Sequence, residues 1–159
     1  AKEQGHLTCL DPQFPLYPVD YSWMEPLVDI LPYTDLLILD ETEARMVADA
    51  TDLSDALKKL HAAGPKNVVI KMGAEGSIFG GSEHEFRQPA VFTPDDEIVE
   101  SIGAGDAFDS GTIYGVLQGW DIQKSVKLGT LAAASTLHGS GGTSSLAPID
   151  LLIQQLDTV

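Results

Sequence analysis

Apolar residues along this chain fall into two patterns. Short unbroken runs alternate with stretches in which an apolar side chain recurs every three or four positions. The runs at 7–10, 36–39 and 68–71 predict strands; the last is β-branched and bounded by turn residues. A second strand is expected at 77–79, after the tight Gly73-Ala74-Glu75-Gly76 turn, and 85–92 has room for two more, interrupted by Pro89. Helical spacing predicts a short helix over 21–30, helices over 40–50 and 54–63, and one from near Gly103 to before Gly119. A further helix carries Ile122, Val126, Gly129, Ala133 and Leu137 on one face, and Pro148 opens a last one with Ile149, Leu152, Ile153 and Leu156 inward. In the 54–63 helix Leu57 and Leu60 face inward, and Gly64-Pro65 ends it. Residues 1–5 read as the tail of a helix closed by Gly5, and prolines 12, 15 and 18 make an extended loop. Short strands alternating with helices predict an α/β layered fold with at least some parallel pairing.

Composition narrows the function classes. The 159 residues suit one compact domain, and no linker long enough to divide the chain is visible. Nine Lys+Arg against 24 Asp+Glu give a net charge of −15, which repels phosphate backbones and anionic membranes. Neither nucleic acid nor a membrane is therefore an expected partner. A single cysteine, Cys9, rules out an internal disulfide and suits a reducing, cytoplasmic setting; placed in an apolar run, it reads as a buried, inert thiol.

The segment that carries chemistry is Gly103-Ala104-Gly105-Asp106-Ala107-Phe108. Glycines where an extended segment turns into a helix let a ligand approach the backbone, and the first helical amides point outward with the positive end of the helix dipole. The pattern is not a Walker loop, since no Lys-Ser/Thr follows, nor a dinucleotide fingerprint, since Phe108 stands at the third glycine's place. Asp106, in the first turn, is placed to accept a proton from a hydroxyl. Acidic residues also favour first turns for the dipole alone, so these residues by themselves leave both readings open. The stripe Ala107, Gly111, Gly115 reads as close helix packing.

This segment resembles the C-terminal signature of the ribokinase-like carbohydrate kinases. Other segments resemble that family's elements in the same order: Leu10-Asp11-Pro12 with Trp23, Asp40-Glu41-Thr42-Glu43, the run from Ile70 through Lys71 and Gly73 to Gly76, and Ala132-Ala133-Ala134-Ser135 ahead of a glycine-rich loop. The resemblance implies a ribokinase-like three-layer α/β sandwich with a mainly parallel sheet and flanking helices, of which this chain is the C-terminal half. The N-terminal half, with the sugar site and lid, would be absent, and this chain alone is expected to be inactive.

The implied activity is ATP-dependent phosphoryl transfer to a hydroxyl of a sugar or sugar-like alcohol. Asp106 would be the base, and the amides of Gly103, Ala104 and Gly105 would bind the charge of the migrating phosphoryl group. Glu43 would hold Mg²⁺, through water. Lys71, Gly73 and Gly76 would lie near the ATP phosphates and ribose, and Thr130, Ala133 and the 139–142 loop, with Gly142, would border the base. A nucleoside or vitamin-alcohol kinase of the same fold, or a non-catalytic nucleotide-binding module, are the alternatives. Self-association into a homo-oligomer is left open.

Several positions depart from the family pattern. Asp40 stands for its Asn, and with Glu43 also spells a helix capping box. Glu100 stands where an Asp serves a monovalent cation, which argues against K⁺ dependence. Gln13 and Pro15 stand for Asn and Arg, which blurs the acceptor class. Asp109, one turn past Asp106, is a weaker candidate base. His6, His61, His84 and His138 lack metal-ligand spacing, Trp23 and Trp120 read as packing residues, and Asp95-Asp96-Glu97 as a solvated acidic loop.

Overall fold

The computed structural model describes residues 1–13, 22–82 and 84–156. They form two compact units: residues 1–72 with 77–87, and residues 73–76 with 88–159.

The first unit is a layered α/β body. Its sheet has the order β1 (Cys9–Leu10), β2 (Leu36–Asp40), β3 (Asn67–Lys71), β4 (Ser77–Gly81) and β5 (Glu85–Gln88), whose last residue falls in the second unit. The pairs β1–β2 and β2–β3 are parallel, and β3–β4 is antiparallel. Parallel β2 and β3 need a crossover, supplied by α1 (Glu41–Ala48) and α2 (Leu53–Ala62). These strands are buried through their middle residues, as expected of a sheet whose core strands read as continuous apolar runs. Their side chains join Ala44, Val47, Leu57 and Leu60 of the helices in one core.

The helix ends follow local chemistry. Asp40 Oδ1 accepts from the Glu43 amide at 2.7 Å and the Asp40 amide donates to Glu43 Oε2 at 2.8 Å, which is the predicted capping box. Asp52 Oδ1 caps α2 through the Asp55 amide at 2.9 Å. At its other end Gly64 has φ 121°, and a Cβ there would stand 2.7 Å from the Pro32 Cα, so the predicted stop needs glycine.

The second unit is helical: α3 (Ala104–Leu117), α4 (Ile122–Thr136) and α5 (Ile149–Gln155). The small stripe on α3 performs the packing expected of it. A Cβ on Gly111 would come within 2.9 Å of the Gly129 Cα, and one on Gly115 within 2.8 Å of the Ser125 Cα. Backbone therefore touches backbone along the α3–α4 contact. Trp120 packs edge-on to Tyr114 at 6.1 Å and carries the Lys124 ammonium over its ring at 4.2 Å, the packing role expected of it.

Five expectations need correction. Tyr21 lies outside the described residues, and 23–30 is a succession of turns rather than a helix, because Pro26 lacks the amide that a helix interior requires. Residues 2–4 form a single 3₁₀ turn closed by Gly5 at φ 75°. Only one strand forms in 85–92; past Pro89 the chain leaves the sheet, and Phe92 is 88% exposed. Cys9 is exposed, because β1 is two residues long and covers little. On α5, Leu152 and Leu156 are buried but Ile149 is not, since it stands in the exposed first turn. Pro15 and Pro18 lie outside the described residues.

Candidate active site

In the first unit, three of the sequence's polar candidates meet at the carboxyl ends of the parallel strands. Asp40 and Lys71 end β2 and β3 and are register partners. This is the edge at which open α/β sheets bind ligands. The Lys71 ammonium is paired with Asp11 Oδ2 at 3.0 Å, and both side chains are 15% exposed. Glu43, one turn into α1, is buried. Burial is the main force raising its pKa, aided by the neighbouring charges of Asp40 and Asp11 and opposed by the Asp40 amide and Lys71. Glu43 is therefore both a capping partner and a carboxylate whose charge is costly where it sits. Among the described residues no group of three or more His, Cys, Asp or Glu side chains is placed to hold a metal ion. The donor set suits a cation that keeps most of its waters and takes one carboxylate from the protein.

In the second unit, Gly103 is the N-cap of α3 with φ 81°, a left-handed conformation that favours glycine, and no side chain caps the helix. A Cβ at this position would meet the Gly142 Cα at 2.6 Å and its carbonyl oxygen at 2.7 Å. The glycine loop thus sits directly on the helix start. The Ala104 amide donates to the Ser101 carbonyl at 3.2 Å, which commits it to a turn. The Gly105 and Asp106 amides belong to the first helical turn, whose donors have no intrahelical acceptor. Gly105 and Asp106 are both exposed. The first turn of α3 therefore presents an exposed carboxylate beside amides that lack an intrahelical acceptor. Asp109 is half-buried and engaged in its own interaction, which leaves Asp106 as the accessible acid.

The remaining candidates divide. Gly73 has φ 56° and open space around it, whereas Gly76, at φ 89°, lies against the backbone of Gln88 and Ala90, where no side chain fits. Thr130 is buried and its hydroxyl donates to the Val126 carbonyl at 3.0 Å, so its polar atom serves its own helix. Ala133 is half-buried on α4, and Gly142 is buried at the loop tip.

Two contacts escaped sequence reasoning. One is the Asp11 partner of Lys71, 60 residues away, whose signal was the Asp-Pro pair after the apolar run. The other joins Glu100 Oε1 to the Gly141 amide at 2.6 Å across 41 residues, which no local pattern reveals.

The chain resembles known proteins along most of its length. The pfkB family carbohydrate kinase model matches residues 8–149. The chain is 35% identical over 132 residues to a cytidine kinase of Thermococcus kodakarensis, covering 82% of this chain and 47% of that protein. It is 28% identical over 159 residues to an ATP-dependent 6-phosphofructokinase of Thermoanaerobacterium thermosaccharolyticum, covering 99% of this chain and 48% of that protein. Among solved structures, aminoimidazole riboside kinase from Salmonella enterica superposes with a TM-score of 0.85 at 22% identity, over 98% of this chain and 54% of that one. Ribokinase from Thermotoga maritima gives 0.80 at 22% identity, over 95% and 49%. These two share the ribokinase fold, and the chain spans about half the length of the relatives it matches. With the signature segment at a helix start and the family match running through it, this chain belongs to the pfkB family of carbohydrate kinases.

Proposed function

We propose that this chain supplies the nucleotide side of an ATP-dependent kinase acting on a hydroxyl of a sugar or sugar-like alcohol. The observation that carries the reading is the start of α3, where an exposed Asp106 stands beside outward amides and a backbone floor too close for any Cβ. Asp106 would take the proton from the acceptor hydroxyl as its oxygen attacks the γ-phosphorus of ATP. The bond from that phosphorus to the bridging oxygen breaks, and ADP leaves. The Gly105 amide, assisted by the helix dipole and by the N-cap Gly103, would hold the negative charge on the migrating group, while Ala104, whose amide is held by Ser101, would shape the turn. A general base typically contributes ~10²–10⁴ in rate and one anion-hole donor ~10²–10³, so neither alone accounts for an enzyme's acceleration.

Mg²⁺ bound through Glu43 would neutralise phosphate charge. Lys71, Gly73 and Gly76 would serve the phosphates and ribose, and Thr130, Ala133 and Gly142 would border the base. For Thr130 that role falls to its methyl group and backbone, because its hydroxyl is occupied. A cytoplasmic setting, where ATP is abundant and thiols stay reduced, suits this reading.

The test is Asp106→Asn in the complete enzyme. It should lower kcat by at least ~10² while Mg·ATP affinity by calorimetry stays within a few fold. Equal losses in both would remove Asp106 from the base role. A nucleoside acceptor is the second reading, favoured by the likeness to a cytidine kinase. An acceptor panel of ribose, fructose 6-phosphate, cytidine and adenosine separates the two.

A further inference from the structure

Glu100 precedes the signature segment and lies outside the machinery assigned above. Its carboxylate accepts a 2.6 Å hydrogen bond from the amide of Gly141. Gly141 and Gly142 have φ 84° and 79°, so the loop tip is a pair of left-handed residues whose shape no side chain dictates. Most of the loop's other hydrogen bonds are local: Thr143 N–H to the Gly141 carbonyl at 2.9 Å, Ser145 Oγ to the Thr136 carbonyl at 2.9 Å, and Ser144 Oγ to the Ser140 carbonyl at 2.5 Å. Among the described residues, the Glu100 bond is the one hydrogen bond between this tip and the segment that leads into α3. The tip in turn is the surface on which Gly103 rests, at a distance that excludes a Cβ.

We propose that Glu100 is a positioning residue that clamps the Gly141–Gly142 tip onto Gly103 and so fixes the amides of the α3 N-terminus where the nucleotide's phosphates must lie. This rests on the kinase reading. The bond is short and charge-assisted, which places it among the stronger hydrogen bonds even at a solvent-exposed position. A separate bond from the Val99 amide to the Leu137 carbonyl at 2.8 Å still ties the neighbouring backbone to the end of α4 when the Glu100 side chain is removed. Truncation should therefore free the tip without releasing the helices.

The experiment compares Glu100→Ala and Glu100→Gln with the unmodified complete enzyme, by steady-state kinetics and by amide hydrogen exchange at Gly141. The Ala variant should exchange faster at Gly141, and its KM for Mg·ATP should rise ~10-fold or more while the KM for the acceptor stays within about twofold. The Gln variant keeps an oxygen that accepts from Gly141 and should return the KM for ATP to within about threefold of the original. Unchanged exchange at Gly141 in the Ala variant overturns the clamp. Faster exchange with an unchanged KM for ATP also overturns the proposal, because the bond would then be structural only. If the unmodified enzyme transfers no phosphate at all, the kinase reading fails, and the exchange measurement still decides whether the clamp exists.

Discussion

The Gly103–Gly142 contact makes a quantitative prediction, because three glycines share a left-handed backbone but differ in the space around a Cβ. Gly103, Gly141 and Gly142 all have φ near +80°, so each pays for a Cβ in the left-handed region, about 1–2 kcal/mol. At Gly141 a Cβ meets nothing within 4 Å, and at Gly142 the nearest atom is 3.5 Å away, an ordinary contact. At Gly103 it meets the Gly142 backbone at 2.6 Å, where there is no flexible side chain to move aside. Overpacking of this kind adds about 1–3 kcal/mol. Gly103→Ala should therefore destabilise by about 2–5 kcal/mol in total, against about 1–2 kcal/mol for Gly141→Ala and Gly142→Ala. Urea denaturation of the three variants in the complete enzyme, with m-values compared, reads the difference directly. The same substitution should weaken Mg·ATP binding, since the loop or the helix start must shift to make room. Were Gly103→Ala to match Gly141→Ala within about 0.5 kcal/mol, the backbone contact would not be the constraint described here.

Further outcomes follow from the charges. Burial pushes the Asp35 carboxyl up, but bonds from Lys2, the Thr8 amide, Lys66 and the Thr8 hydroxyl outweigh it and hold the pKa well below the usual carboxylate range. A depressed folded pKa gives stability that is complete above the unfolded value near ~3.9 and is lost as pH falls through the folded one. The stability gap between the unmodified protein and Asp35→Asn should thus shrink from pH 5 to pH 2 in urea titrations; a constant gap would refute it. Glu43 has the opposite sign, with a folded pKa raised by burial, so its ionisation costs stability as pH rises through the window above the unfolded value. Glu43→Gln should gain stability on the unmodified protein between pH 4 and pH 7 when a chelator is present, and should lose activity in separate assays supplied with Mg²⁺. A pH-independent difference would show that desolvation is not the cause.

The sequence carried the parts of the fold that local patterns encode. The runs of β2 and β3 are buried on both faces, and so announced themselves as unbroken apolar stretches. The cap at Asp40 and the Gly64-Pro65 stop were readable because each acts on atoms within a few residues. The same locality made the Gly103–Asp106 helix start legible, although only the coordinates revealed that Ala104 spends its amide on Ser101. What stayed hidden was non-local or balanced on one atom. The missing amide of Pro26 turned an apparent helix into turns, and the shortness of β1 left Cys9 in the open. Glu100 looked like a family departure and no more, because its partner lies 41 residues downstream.

The glycine ladder between α3 and α4 has a consequence for how this chain can change. With Gly111 and Gly115 seated on the backbone of the neighbouring helix, the two helices cannot slide or part by a fraction of an ångström without a collision or a void. Asp106 is carried on the first turn of that same rigid beam. A substitution more than a turn away would therefore tilt the Asp106 carboxylate. Change is thereby steered away from this beam and toward the loops that surround it.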